Sequence, residues 1–152
     1  MNPLDLNQLN VLDALVYGIG FDTTTGQLTV TVEIDASFHI GTCENLGIEA
    51  TGVVLVDLLF SEVARFSFEG GMSRPVGHAE NEPPHDYEIS TLRVREASGD
   101  GDGFTLEIRG QNPPRLTAAF KGVSAKLSAR PPGATHDYGG GLGPGVKIAP
   151  PR

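Results

Sequence analysis

The chain has 152 residues, of which 39% are hydrophobic and 20% charged, with 20 glycines, 11 prolines, one cysteine, no tryptophan and a net charge of −8. That length suits one domain able to bury most of its apolar surface, and the acidity opposes long-range attraction to nucleic acid or anionic membrane. Cys43 has no partner for an internal disulfide, and no apolar run approaches the roughly 20 residues of a membrane span.

Residues 1 to 12 are polar with scattered leucine, and Asn2-Pro3 or Asp5 is placed to cap one short helical turn. Neither a basic nor a long apolar segment of a secretory leader is visible there, so the expectation is a soluble, cytoplasmic protein. The first predicted strand runs from Leu15 to Phe21, with Leu15, Tyr17, Ile19 and Phe21 on one face and Val16, Gly18 and Gly20 on the other. Paired glycines on one strand face signal a bulge or the close approach of another segment. Asp22 to Gln27 reads as a turn closed by Gly26. Gln27 to Asp35 then alternates strictly, which predicts a strand with one buried face and one wet face carrying Glu33 and Asp35.

Ala36 to Thr51 is a long connection, and insertions of this kind lie on surfaces and often carry function. Its His39 and Glu44 are candidate partner-binding residues. His39 with Cys43 offers two metal ligands or a base and a nucleophile, but a structural zinc needs four ligands, and a free cysteine is ordinarily buried. Val53 to Phe60 is almost continuously apolar, the mark of a strand covered on both faces. A bend or bulge near Ser61 and Glu62 leads into a short strand through Phe66 and Phe68, and a helical turn over Leu59 to Ala64 is the competing assignment.

Residues 69 to 84 form a Gly-, Pro- and charge-rich linker. His78, Glu80, Glu82, His85 and Asp86 make this region the densest run of potential ligands, although their spacing matches no defined metal motif. Alternating runs resume with Ile89, Leu92 and Val94, then Phe104, Leu106 and Ile108, then Leu116, Ala118, Phe120 and Val123. The turn Ser98 to Gly103, with Asp100 and Asp102, lacks the terminal glutamate of a calcium loop and reads as a hairpin tip. Residues 131 to 152 are a Gly/Pro-rich tail that cannot build a core of its own.

Two stretches share one pattern. Asp13, Val16, Ile19 and Phe21 match Asp86, Ile89, Leu92 and Val94, and Val56, Leu58, Phe60 and Val63 match Leu116, Ala118, Phe120 and Val123. Duplication produces such a match, and so does strand composition alone. The expected fold is all-β and predominantly antiparallel: two pseudo-repeated three-strand units, about 13–68 and 86–129, forming a sandwich or open barrel with at most one short helix. A single β domain over residues 1–130 then precedes the extended tail at 131–152.

Known catalytic signatures are missing: the chain has no GxSxG elbow, Walker loop, HExxH or dinucleotide fingerprint. The reading is therefore non-enzymatic, with no catalytic, cofactor-binding or metal-binding residue assigned. The order Leu12-Asp13-Ala14 into Val16 and Ile19, then Val54 to Phe60 with Val63, Phe66 and Phe68, followed by a similar second half, resembles the small β-rich immunity proteins of bacterial polymorphic-toxin systems. The long Ala36 to Thr51 insertion and the Gly/Pro tail depart from that family's pattern. The resemblance implies a cytosolic protein that binds and neutralises one toxin without catalysis.

A basic toxin domain would be matched by acidic surfaces at Glu80 and Glu82, at Asp100 and Asp102, and at Glu33 and Asp35. Neither nucleic acid nor membrane is an expected partner. The alternative is a structural or assembly protein that forms homo-oligomers through its sheet edges or tail, and a small metal-dependent enzyme ranks behind both. Function is expected where the two stretches differ, in the Ala36 to Thr51 insertion, the Gly99 to Gly103 tip and the linker.

Overall fold

Alternation of apolar and polar residues becomes eight antiparallel strands in a computed structural model that describes residues 1–69, 88–98, 103–110 and 115–129. They are β1 (Leu15–Asp22), β2 (Gln27–Asp35), β3 (Val53–Ser61), β4 (Arg65–Glu69), β5 (Thr91–Glu96), β6 (Phe104–Arg109), β7 (Arg115–Phe120) and β8 (Gly122–Leu127). Two open four-stranded sheets result, ordered β1-β2-β3-β8 and β4-β7-β6-β5. The expectation of at most one short helix falls short by one piece: a 3-10 turn spans Pro3–Gln8, and α1 spans Thr42–Asn45. Among the described residues no helix is long and apolar enough to cross a membrane.

The two sheets exchange their fourth strands. β1 to β3 lie in the first sheet and the chain then enters the second as β4, whereas β5 to β7 lie in the second and the chain returns to the first as β8. Both crossings occur at one corner. Glu62 takes a left-handed backbone (φ 49°), Val63 N–H donates to the Gly26 carbonyl at 3.0 Å, Ala64 N–H to Ala119 at 2.9 Å, and Lys121 N–H to Ser61 at 3.0 Å. The bend expected near Ser61 and Glu62 is thus present, while β3 runs on to Ser61 and leaves no helical turn over Leu59 to Ala64.

At this corner Phe60 of the first sheet meets Phe120 of the second edge to face, with ring centroids 4.9 Å apart. Phe21 and Phe66 make a second bridge between sheets at 4.8 Å. One core lies between the sheets, with Leu28, Val30, Val56 and Phe60 at 0% exposure. Each such side chain contributes about 1.5–3 kcal/mol through burial.

Three local features depart from simple alternation. A bulge between Val16 and Gly18 shifts the register of β1, so Val16 and Ile19 both join the core. Leu15 instead pairs with Glu33 on the outward face, which corrects the expected grouping of Leu15 with Ile19. The spacing Val16-x-x-Ile19 is what an extra residue inserted into a period of two produces. The face of β2 expected to be wet is also partly closed, because Thr31 is buried and donates to the Asp57 carboxylate at 2.6 Å. Asp13 has a left-handed backbone (φ 64°), which a short Asp side chain tolerates, and its N–H donates to the Ile89 carbonyl at 2.8 Å.

Sheet edges are places where further strands can add, and the β5 edge is closed by one side chain. Asn7, in the N-terminal 3-10 turn, accepts from Val94 N–H at 2.7 Å and donates to the Val94 carbonyl at 2.8 Å. An Asn amide has one acceptor and one donor with the spacing of a peptide group, so Asn7 occupies the place of a neighbouring strand at Val94.

Candidate anion-binding face

The second sheet buries Val94, Leu106, Ile108, Leu116, Ala118 and Phe120, so residues alternating with them face outward. Register sets those outward residues in three rows across the sheet. Arg65, Ala119, Thr105 and Arg95 form the first row, Ser67, Thr117, Glu107 and Arg93 the second, and Glu69, Arg115, Arg109 and Thr91 the third.

Five of the chain's 11 basic residues (Arg65, Arg93, Arg95, Arg109 and Arg115) therefore stand on one face of a protein whose net charge is −8. All five are exposed. The central strands contribute small residues between them, with Ala119, Thr105 and Thr117 as the floor of a shallow groove of about 380 Å³. Its walls are the edge strands: Arg65 and Ser67 on β4, Arg93 and Arg95 on β5. With strands about 4.8 Å apart, three intervals place those walls roughly 14 Å from each other.

Among the described residues the three rows set five arginines against two carboxylates, Glu69 across from Arg115 and Glu107 across from Arg93. Arg115 donates to Glu107 at 2.8 Å, a partly exposed ion pair that contributes little. Arg65, Arg93 and Arg95 form no ion pair with any described residue. Arg109 lies directly across from Arg115, and like charges opposed in this way cost stability. A planar guanidinium takes a carboxylate or phosphate through two parallel hydrogen bonds, so several around a small-residue floor make an anion-binding surface. Ser67 on the wall and Thr117 on the floor, joined through their hydroxyls at 2.7 Å, add neutral hydrogen-bonding groups to the groove.

Of the partner-binding candidates singled out from sequence, only His39, Glu44, Glu33 and Asp35 belong to the described residues, and none is on this face. Glu80, Glu82, Asp100 and Asp102 fall outside the described residues, as do His78, His85 and Asp86. Glu44 is exposed on α1. His39 is 4% exposed and holds the insertion in place: its Nδ1 accepts from Asp35 N–H at 3.1 Å, and its Nε2 donates to the Leu12 carbonyl at 2.9 Å. Both ring nitrogens are thereby engaged, which leaves no lone pair for a metal or for a base acting on Cys43.

Burial pushes the Cys43 thiol up, and the Glu44 charge acts the same way, so a reactive thiolate is disfavoured. No group of three or more potential metal ligands converges among the described residues. Around His39 the insertion instead presents apolar surface, with Phe38 61% and Ile40 77% exposed beside Leu12 at 55%.

The arginine face is not legible in the matched apolar positions, which fix only the buried side of each strand. Its signal was nonetheless present: Arg93 and Arg95 are two apart, and Arg109 and Arg115 occupy polar positions of alternating runs. The positions matched to Arg93, Arg95 and Arg115 in the first stretch are Gly20, Asp22 and Leu55, none of them basic. Comparison of the chain with protein-family models, curated proteins and solved structures finds no match in any of the three.

Proposed function

We propose that this chain is a non-enzymatic binding protein whose working surface is the outward face of β4-β7-β6-β5, and that its partner presents negative charge there. The concentration of five exposed arginines on one sheet face, three of which (Arg65, Arg93 and Arg95) line the groove, carries this reading. Like charges gathered on a folded surface lower stability, and a bound anion returns what their repulsion costs. The expected basic toxin domain would meet repulsion at this face, so a partner engaging it has the opposite charge.

The reading also takes the two sheets as products of a duplication with exchanged fourth strands. Supporting it are the parallel strand orders β1-β2-β3-β8 and β5-β6-β7-β4, and the Phe60–Phe120 contact between matched residues. Leu15 and Glu88, each just before a matched Val16 or Ile89, also bridge directly to one another. Under duplication Arg93, Arg95 and Arg115 belong to the second unit, where the matched positions of the first lack a basic residue, and Arg65 is contributed by the first unit through its exchanged strand.

Passage over immobilised dextran sulfate at neutral pH and low salt tests the binding surface. Retention of the wild-type protein, lost as salt rises and absent in an Arg65→Ala/Arg93→Ala/Arg95→Ala variant, is expected despite the acidic pI. Elution of the wild type in the void volume would overturn the reading.

Self-association is a second reading, favoured by one observation. Leu12, Phe38 and Ile40 expose large apolar side chains around an insertion pinned by His39, a combination suited to contact with another copy. An edge-to-edge route through β5 is obstructed at Val94 by Asn7.

A further inference from the structure

We infer that the ligand of the arginine face is an acidic polypeptide segment lying along β6 and β7, not a nucleic-acid strand or a free small anion. This inference rests on the binding reading above and adds the class of partner.

The groove follows the central strands. Its floor, Thr105 on β6 and Thr117 and Ala119 on β7, lies between Arg65 on one wall and Arg93 and Arg95 on the other. A width of roughly 14 Å between wall strands accommodates one extended chain with side chains reaching both ways. Arg93 and Arg95 are alternate residues of one strand, so their spacing of about 7 Å along it matches that of alternate carboxylates on an extended peptide.

Aromatic placement separates the candidate polyanions. Single-stranded nucleic acid is gripped by aromatic rings on which bases stack. Phe66, Phe68, Phe104 and Phe120 of this sheet all pack against the core, and no outward position of the three rows is aromatic. Glu107 adds a second argument. A carboxylate at mid-groove, held to Arg115 at 2.8 Å, repels a backbone charged at every unit, whereas a polypeptide can place a neutral or donor side chain opposite it. A free phosphate or carboxylate would gather two or three guanidiniums at one point, but the first-row arginines stand on opposite walls.

Fluorescence anisotropy with labelled oligoglutamate, labelled oligothymidylate and competing inorganic phosphate distinguishes these classes. Oligoglutamate is expected to bind at low salt, to bind more tightly than oligothymidylate, and to resist displacement by millimolar phosphate. Arg65→Ala, Arg93→Ala and Arg95→Ala should each weaken it about tenfold, the loss of one charge-assisted contact. Glu107→Gln should tighten oligothymidylate more than oligoglutamate, with thermal melts confirming that each variant is folded.

Preferred binding of oligothymidylate with the same arginine dependence would overturn the polypeptide assignment while leaving the arginine face as the binding surface. Displacement of oligoglutamate by phosphate at equal charge concentration would overturn the assignment as well. Binding of neither polymer, or binding unaffected by all three arginine substitutions, would overturn both the assignment and the reading beneath it.

Discussion

Replacing Asn7 by alanine should destabilise the protein and open the β5 edge together. Two hydrogen bonds vanish, at 2.7 and 2.8 Å, and both involve the backbone of Val94, a residue only 2% exposed. A typical internal hydrogen bond contributes about 0.5–1.5 kcal/mol, and a buried group left without a partner costs about 1–3 kcal/mol. Water can reach part of the vacated site, so the expected loss is about 2–3 kcal/mol.

With a urea m-value of about 2 kcal/mol/M for a domain of this size, the unfolding midpoint should fall by roughly 1 M. Asn7→Asp separates the two bonds. It keeps an acceptor for Val94 N–H but sets a carboxylate against the Val94 carbonyl, and should be no more stable than Asn7→Ala above the carboxylate pKa. Sedimentation velocity on the folded alanine variant completes the assay, since an unblocked strand edge should raise the weight-average mass with concentration. A midpoint shift below about 0.3 M, with unchanged sedimentation, would refute the assignment of Asn7 as a substitute for a missing strand.

The remaining expectations concern pH and association. Burial raises the Glu33 pKa above its usual 4.5, with the Asp35 charge acting in the same direction. The folded state therefore holds this proton more tightly than the unfolded chain, and the resulting stabilisation is present at low pH and lost as pH rises through the folded value. Glu33→Gln should melt higher than wild type at neutral pH, with the gap closing towards pH 4; a gap that widens on acidification would contradict this sign.

Asp22 has the opposite sense. Hydrogen bonds from the Thr24 and Thr25 N–H groups lower its pKa, so their contribution is present at neutral pH and disappears as pH falls through the folded value. Asp22→Ala should accordingly lower the melting temperature at neutral pH but not in strong acid. For the apolar tip, Phe38→Ser/Ile40→Ser should leave the melting temperature within about 2 °C of wild type, as exposed positions usually do, while removing any concentration-dependent mass seen by sedimentation. Self-association that survives these substitutions would assign the contact to another surface.

Much of the strand layout was legible because it is governed by local periodicity. Gln27–Asp35 is a strand with the predicted ends, and the Ser61–Glu62 bend, the Phe66/Phe68 strand and the three later runs all form. The β1 register was misread because an inserted residue leaves composition unchanged and alters only which side each residue faces. Tyr17 is that extra residue, and it moves Leu15 out and Val16 in. His39 was legible as a polar residue in a functional insertion, but its role follows from the carbonyl of Leu12, 27 positions earlier. A sequence alone does not supply that contact.

Outside β1, Thr31 and His39, the sequence by itself determined the apolar core positions, because strand periodicity and hydrophobic transfer free energy act on neighbours a few residues apart. Only the tertiary structure decided what the outward residues build. Arg65, Arg93, Arg95, Arg109 and Arg115 belong to four strands whose order, β4-β7-β6-β5, comes from exchange between the two sheets. That order sets Arg65 in one row with Arg95, although 30 positions separate them in the chain. Outward residues contribute little to choosing the register, so their convergence follows from the packing of the opposite face.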